Sequence, residues 1–351
     1  MLMTRRNLVI TLTIALCVAS SQLSSAQARR SPTGTLIVSN MNDNTATVLD
    51  AATGKVLATP ATGEGPHEVA ASHDGRWALV SNYGVRGKPG NTITVIDVER
   101  RVVARTIDLK EYQRPHGMAF LPGDTLVAVT SEAKQAVLFV DFRSGTVVRT
   151  LPTNGRVSHM LSLSATGERM AIANIADNAI TMLTLSPAGE PRIIPVARQP
   201  EGIAITPDGN TIWVGSNRDS VVLVVDARTG VLTDTLRGFA LPYRVAVSPD
   251  GRRAVITDPA KATVRIVDVA SRRNLATIDV PRDSIVATAE VPGSPSPEGV
   301  AISTDSRWAF VTVQGRNRVI TIDLDAGTIV QWAPTGTWSD GIAYSRLIPR
   351  T

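Results

Sequence analysis

Residues 66–82 read Pro-His-Glu-Val-Ala-Ala-Ser-His-Asp-Gly-Arg-Trp-Ala-Leu-Val-Ser-Asn. Two short apolar runs flank a tight-turn sequence, which predicts a pair of antiparallel strands. The arrangement returns along the chain. Its opening recurs at Pro115-His116, Ser158-His159, Pro200-Glu201, Pro242-Tyr243, Pro297-Glu298 and Ser339-Asp340. Its close recurs at Leu36 to Asn40, Val127 to Ser131, Ala171 to Asn174, Trp213 to Ser216, Val255 to Asp258 and Phe310 to Val313. The interval from opening to close is constant, 15 residues, as from His67 to Asn82 or Glu298 to Val313.

A third run ends in aspartate at Asp50, Asp97, Asp141, Asp226, Asp268 and Asp323, with Thr184 in its place in one copy. Turns such as Thr53-Gly54, Ser144-Gly145 and Thr229-Gly230 follow, and then another β-branched run. The aspartate is expected to bond turn amides. Each repeat of roughly 42 residues therefore carries four short strands, A to D, and radial repetition of such units makes a β-propeller. Seven copies predict an all-β, seven-bladed propeller of four-stranded antiparallel blades. The chain begins on a B strand (Thr35 to Asn40) and ends on an A strand (Gly341 to Ser345). The C-terminal A strand is thus expected to join the N-terminal B, C and D strands, which closes the ring and removes open sheet edges.

The pattern Val-Ser-Asn, Asn-Thr, Val-Ile-Asp, Thr-Gly-Lys, Pro-x-x-Val-Ala and Ser-Pro-Asp-Gly resembles the YVTN family of β-propeller repeats, common among exported microbial proteins. The likeness spans nearly all of the chain after its leader. It implies the propeller fold. It does not assign an activity, because the family includes surface-layer, nucleic-acid-binding and lactonase-like proteins. The sequence departs from the pattern at Thr184, Val313 and three histidines.

The N-terminus predicts export. Arg5 and Arg6 precede a mostly apolar run from Leu8 to Ala19, and Ser24-Ser25-Ala26 offers a cleavage site. Residues 1–26 are read as a signal peptide, 27–34 as a flexible mature N-terminus, 35–346 as the propeller and 347–351 as a tail. Thr4 to Leu8 loosely resembles a twin-arginine signal, so both export routes stay open. The product is expected in the periplasm or outside the cell, without membrane insertion. The single cysteine, Cys17, excludes an intrachain disulfide and any Cys-rich metal site. Removing the leader lowers the formal net charge from +5 to +3, and aromatics are only 4% of the chain. Neither favours nucleic acid as a partner.

In a propeller, A strands line the central channel. The position that opens them reads His67, His116, His159, Glu201, Tyr243, Glu298 and Asp340 around the ring. The next reads Glu68, Gly117, Met160, Gly202, Arg244, Gly299 and Gly341. Glycine there suggests close backbone approach, leaving the first column to fill the mouth. Two connections on the same face are long: Gly84 to Gly90, read as a loop insertion, and Pro281 to Pro295.

Three imidazoles on consecutive blades suit one divalent transition metal, Zn, Cu, Fe or Ni. His67, His116, His159 and Glu201 form the candidate metal set. Tyr243, Arg244, Glu298 and Asp340 are candidates for holding a small polar or anionic ligand. His116, Glu201 and Glu298 are the candidate acid–base residues if the protein is a lactonase-like hydrolase or lyase. A metal-free polar pocket, a purely structural hub and a protein-interaction scaffold are the competing readings. His73, in an A-to-B turn, is read as surface, and Trp77, Trp213 and Trp308 as blade packing.

Overall fold

The structure is a computed structural model that describes residues 31–283 and 289–349. The expected leader and cleavage site lie outside the described residues. Among those residues, no helix is long and apolar enough to cross a membrane.

Seven separate four-stranded antiparallel sheets are present. Their innermost strands are Pro66–Ala71 (blade 1), Pro115–Phe120 (blade 2), Ser158–Leu163 (blade 3), Pro200–Ile205 (blade 4), Val245–Val247 (blade 5), Pro297–Ile302 (blade 6) and Ser339–Ser345 (blade 7). Each packs against the next, and that of blade 7 packs against both blade 6 and blade 1. The ring closes as expected. Ser339–Ser345 pairs with Thr35–Asn40, with Thr35 opposite Ser345 and Val38 opposite Ile342.

The B and C strands are buried on both faces, which is why they read as nearly continuous β-branched runs. Trp308–Val313 is buried at every position. The core lies between blades. Ile180, Met182 and Ile194 of blade 3, for example, pack with Ile203, Ile212 and Val214 of blade 4. Trp213 and Trp308 are buried, whereas Trp77 is half-buried. The repeated aspartates hold the turns beyond the C strands: Asp50 accepts from the Ala52 amide at 2.8 Å, Asp141 from Ser144 at 2.7 Å and Asp226 from Thr229 at 2.6 Å.

Three details of the inner strands were not anticipated. First, the A strands of blades 1, 2, 3, 4, 6 and 7 carry a bulge. Pro66 faces Asn82, yet Val69 faces Val80, so one residue is extra on the inner strand. A bulge re-aims side chains. As a result Glu68 enters the mouth beside His67, although strict alternation would turn one of them away.

Second, a B-strand hydroxyl ties each of several blades to the next. Thr312 Oγ1 accepts from the Gly299 amide at 2.8 Å and donates to the Asp340 carbonyl of blade 7 at 2.8 Å. Thr257 does the same between Arg244 and Glu298, at 3.0 and 2.9 Å. Thr130 donates to the His159 carbonyl at 2.7 Å, and Ser39 to that of His67. Each bond fixes a mouth residue from the neighbouring blade.

Third, Gly84 to Gly90 is not a loop. Trp77–Val85 and Lys88–Asp97 continue their ladder outward, with Val85 opposite Lys88, so the insertion is an extended hairpin turning at Arg86-Gly87. Gly84 and Gly90 meet at its base, where a Cβ on Gly90 would lie 2.0 Å from the Asn82 carbonyl oxygen.

Thr312→Val keeps shape but leaves the Gly299 amide and Asp340 carbonyl without this partner. Thermal or urea denaturation should register a loss of about 1–3 kcal/mol. A loss below about 0.5 kcal/mol, the range of neutral surface changes, would show that the hydroxyl link is dispensable.

Candidate functional site

The opening residues of the inner strands do meet at one mouth. His116 lies at the centre of the histidine group. Its ring centroid is 4.3 Å from that of His67 and 3.5 Å from that of His159, and Tyr83 stands edge-on at 5.5 Å. His116 is wholly buried, and neither ring nitrogen has a hydrogen-bond partner among the described residues. Burial, then repulsion from His159 and His67, holds its pKa well below the usual imidazole range. It is therefore neutral at pH 7.

The flanking imidazoles differ. His159 meets the Glu132 carboxylate through Nδ1, and its Nε2 lies 2.7 Å from Glu201 Oε1. Burial opposes the charge, but Glu201 and Glu132 overcome it and raise the pKa to about 10. His159 is thus an imidazolium donating at both ends. His67 Nδ1 lies 2.5 Å from Asp340 Oδ2 and 3.9 Å from Glu68 Oε1. Burial alone would lower its pKa, yet Asp340 and Glu68 raise it. The contact with Asp340 is one of charge rather than an aligned hydrogen bond, because Nδ1 and both Asp340 oxygens lack a well-directed partner.

Arg244 spans the channel. From blade 5 its guanidinium reaches Glu68 of blade 1 at 2.6 Å and Glu201 of blade 4 at 3.0 Å, and it lies over the Tyr243 ring at 4.5 Å. Burial would raise the Glu201 pKa, but His159 and Arg244 bring it down to about 2. Glu298 goes the other way. It is fully buried and accepts from Ser296 Oγ at 2.9 Å and Gln314 Nε2 at 2.8 Å. Burial and the nearby Asp340 push its pKa well up, so it is a neutral acid. Asp340 stays ionised, because His67 and Arg244 outweigh its burial.

Two donor sets are close enough to share one cation. His67, Glu68 and His116 form one, and His116, Glu132 and His159 the other; the atoms of each lie within 4.8 Å of one another. The four residues singled out from sequence do not form a single set. Glu201 sits on the far nitrogen of His159, which two carboxylates already occupy. Arg244 likewise is spent on Glu68 and Glu201 rather than facing an open anion site. Tyr243 is buried beneath it, and it precedes the short inner strand of blade 5.

Sequence reasoning missed Glu132, Tyr83 and Gln314, and gave Glu68 no role. A signal was available. Tyr83, Glu132 and Gln314 all stand one position beyond the residue that closes the repeated B-strand motif (Asn82, Ser131 and Val313), 16 residues after His67, His116 and Glu298 respectively. Tyr83 donates to Glu132 at 2.6 Å, so this outer column braces the histidines. His73 lies elsewhere, largely exposed and 2.6 Å from Asp124 of blade 2. Of the second long connection, the described end folds inward: Ser294 is buried and donates to the Pro259 carbonyl at 2.5 Å, and the Glu290 amide donates to Gln314 at 2.7 Å.

Comparison with known proteins supports the architecture. A sequence profile described as YNCE-like beta-propeller matches residues 146–344. No curated protein sequence matches the chain. Among solved structures, a chain of Kuenenia stuttgartiensis hydrazine synthase superposes with a TM-score of 0.67 at 18% identity, over 80% of this chain and 90% of that one. A functionally unknown protein from Desulfotomaculum acetoxidans DSM 771 gives 0.72 at 13% identity, over 91% and 100%. The Cps50 (Swd1) β-propeller domain from Myceliophteria thermophila gives 0.62 at 12%, over 76% and 86%. At these identities the likeness is one of fold.

The ion pairs at His159 make stability depend on pH in metal-free protein. A histidine whose pKa rises from 6.5 to about 10 on folding stabilises fully below 6.5, and that contribution disappears as pH climbs through 10. The thermal midpoint should therefore fall between pH 7 and 10, and His159→Gln should flatten that decline while lowering the midpoint at pH 7. Glu201→Gln, which breaks a buried pair from one side, should cost about 3–5 kcal/mol. A wild-type midpoint unchanged from pH 7 to 10 would contradict the charge assignment.

Proposed function

The chain belongs to the YNCE-like beta-propeller family, and from that premise we propose that it is an exported binding protein taking one divalent transition metal at the channel mouth. His67, Glu68 and His116 are the proposed ligands. The observation that carries this reading is His116: a neutral, fully buried imidazole with two unpartnered nitrogens. A buried polar group without a partner costs about 1–3 kcal/mol, and a metal bond would offset it. Neutral imidazole is also the form that ligates. Two imidazoles and a carboxylate suit Zn or Fe, with the remaining coordination positions open. Asp340, against His67, fits the role of a carboxylate that orients a ligating ring. Metal binding would displace the proton that Asp340 and Glu68 favour on His67, so affinity should rise with pH.

The hydrolase or lyase reading is weaker. Its candidate acid–base residues, His116, Glu201 and Glu298, are all buried, and Glu201 is held between His159 and Arg244. No observation favours a protein-interaction scaffold over a small-ligand site.

Elemental analysis of untagged protein, with thermal midpoints recorded while Zn, Fe, Cu or Ni is added, tests the proposal. One metal per chain and a raised midpoint are expected. His116→Ala should abolish both while leaving the circular-dichroism spectrum intact. Absence of bound metal together with an unmoved midpoint for all four ions would overturn it.

A further inference from the structure

Beside the histidine group a cleft of about 390 Å³ opens to solvent, and its lining includes His67, Tyr83, Val85, Arg86 and Arg114. His67 is the member of the group that this cleft reaches, and its side chain is 14% exposed. The extended hairpin of blade 1 supplies one wall. Arg86 lies at its tip. Arg114 precedes the inner strand of blade 2 and holds a left-handed backbone, φ 53°. Its amide donates to the Gly90 carbonyl at the hairpin base at 2.8 Å, and its carbonyl accepts from the Glu132 amide at 3.2 Å. The guanidinium lies over the Tyr83 ring at 4.7 Å. Backbone bonds on both sides and an aromatic face therefore position this cation.

Charge makes the cleft unusual. At the mouth, Arg244 is neutralised by Glu68 and Glu201, and the His159 imidazolium by Glu132 and Glu201. Lys88 on the same hairpin pairs with Glu64 at 2.7 Å. The Glu132 carboxylate is taken up by His159 and Tyr83. Among the described residues, neither Arg86 nor Arg114 forms an ion pair, although both line one concavity. Two guanidiniums without a protein counter-charge, one of them stacked and tethered, match the planar oxygens of a carboxylate or a phosphate.

We propose that this cleft binds a small oxyanion, held by Arg86 and Arg114 with its inner end at His67. The cleft shares His67 with the proposed metal set, but the anion would be held by the two arginines, so binding to metal-stripped protein tests it independently of the metal reading. A cleft of this volume suits a compact organic acid or phosphate compound rather than a polymer. The blade 1 hairpin, five residues longer than the corresponding step in other blades, gains a purpose as the wall carrying Arg86.

Isothermal titration of the full chain, stripped of metal with EDTA and kept at low ionic strength, tests this with oxalate, inorganic phosphate and neutral acetamide. Saturable one-to-one binding of oxalate or phosphate is expected, and none of acetamide. Tighter oxalate binding assigns the carboxylate class, and tighter phosphate binding the phosphate class. Arg86→Gln, at an exposed hairpin tip, and Arg114→Gln should each weaken binding at least tenfold. Lys88→Gln, on the same hairpin but paired with Glu64, should stay within about twofold of wild type. Lack of saturable binding of both anions to wild type, or wild-type affinity in Arg86→Gln, would overturn the proposal whatever the metal measurements give.

Discussion

The close approach of neighbouring inner strands governs the rest of the molecule. At four of the seven blade junctions a glycine of the inner strand removes the Cβ that would collide with the next blade's backbone. A Cβ on Gly299 would lie 2.2 Å from the Asp340 carbonyl oxygen, and one on Gly341 would lie 2.3 Å from that of His67. Backbone cannot yield as a flexible side chain can, so these positions tolerate nothing larger. The second column accordingly alternates around the ring. Glu68, Met160 and Arg244 each stand between two glycines, and because seven is odd, Gly299 and Gly341 fall side by side. Met160 packs against the core between blades 3 and 4, while other bulky side chains enter a channel that glycines have made narrow. Two of them, Glu68 and Arg244, join across it. The hydroxyl links then hold the mouth residues' carbonyls, so rigid backbone, rather than mobile side chains, sets the spacing of the hub.

That spacing forces charge to be divided unequally among similar groups. Three imidazoles this close cannot all be protonated. The carboxylates decide which are. His159 has two and is charged, His67 has Asp340 and Glu68 nearby, and His116 has none in hydrogen-bond contact. The same logic separates Glu298, protonated beside Asp340, from Glu201, held ionised by His159 and Arg244. Two residue types thus take opposite states within one small volume, and a neutral imidazole suited to ligation sits next to charged ones suited to orienting.

Much of this was legible in the sequence, and the boundary has physical reasons. Blade number, ring closure and the convergence of His67, His116 and His159 follow from repeat spacing, since fixed intervals translate directly into equivalent positions on a ring. Glu68 escaped because the inner-strand bulge breaks the alternation on which sequence reasoning relies. Glu132 escaped because its column, one residue past the B strand, was treated as a connection rather than a wall of the mouth. The ion pairs of Arg244 were not legible for a different reason. Its partners, Glu68 and Glu201, lie 176 and 43 residues away, and no spacing rule distinguishes a cross-channel ion pair from an open anion site. The Gly84–Gly90 segment looked like a loop through its glycines, yet those glycines permit the tight base of a hairpin.

Close packing of the hub leaves His116 buried and neutral while two carboxylates hold His159 charged. Nitrogen-15 NMR of metal-free protein labelled at its histidines, four in the whole chain, reads this directly. From pH 5.5 to 8.5, His116 should show the signature of one protonated and one bare nitrogen, and His159 that of two protonated nitrogens, with neither titrating. If both instead titrate together near the ordinary imidazole pKa of 6.5, the hub described here does not exist in solution.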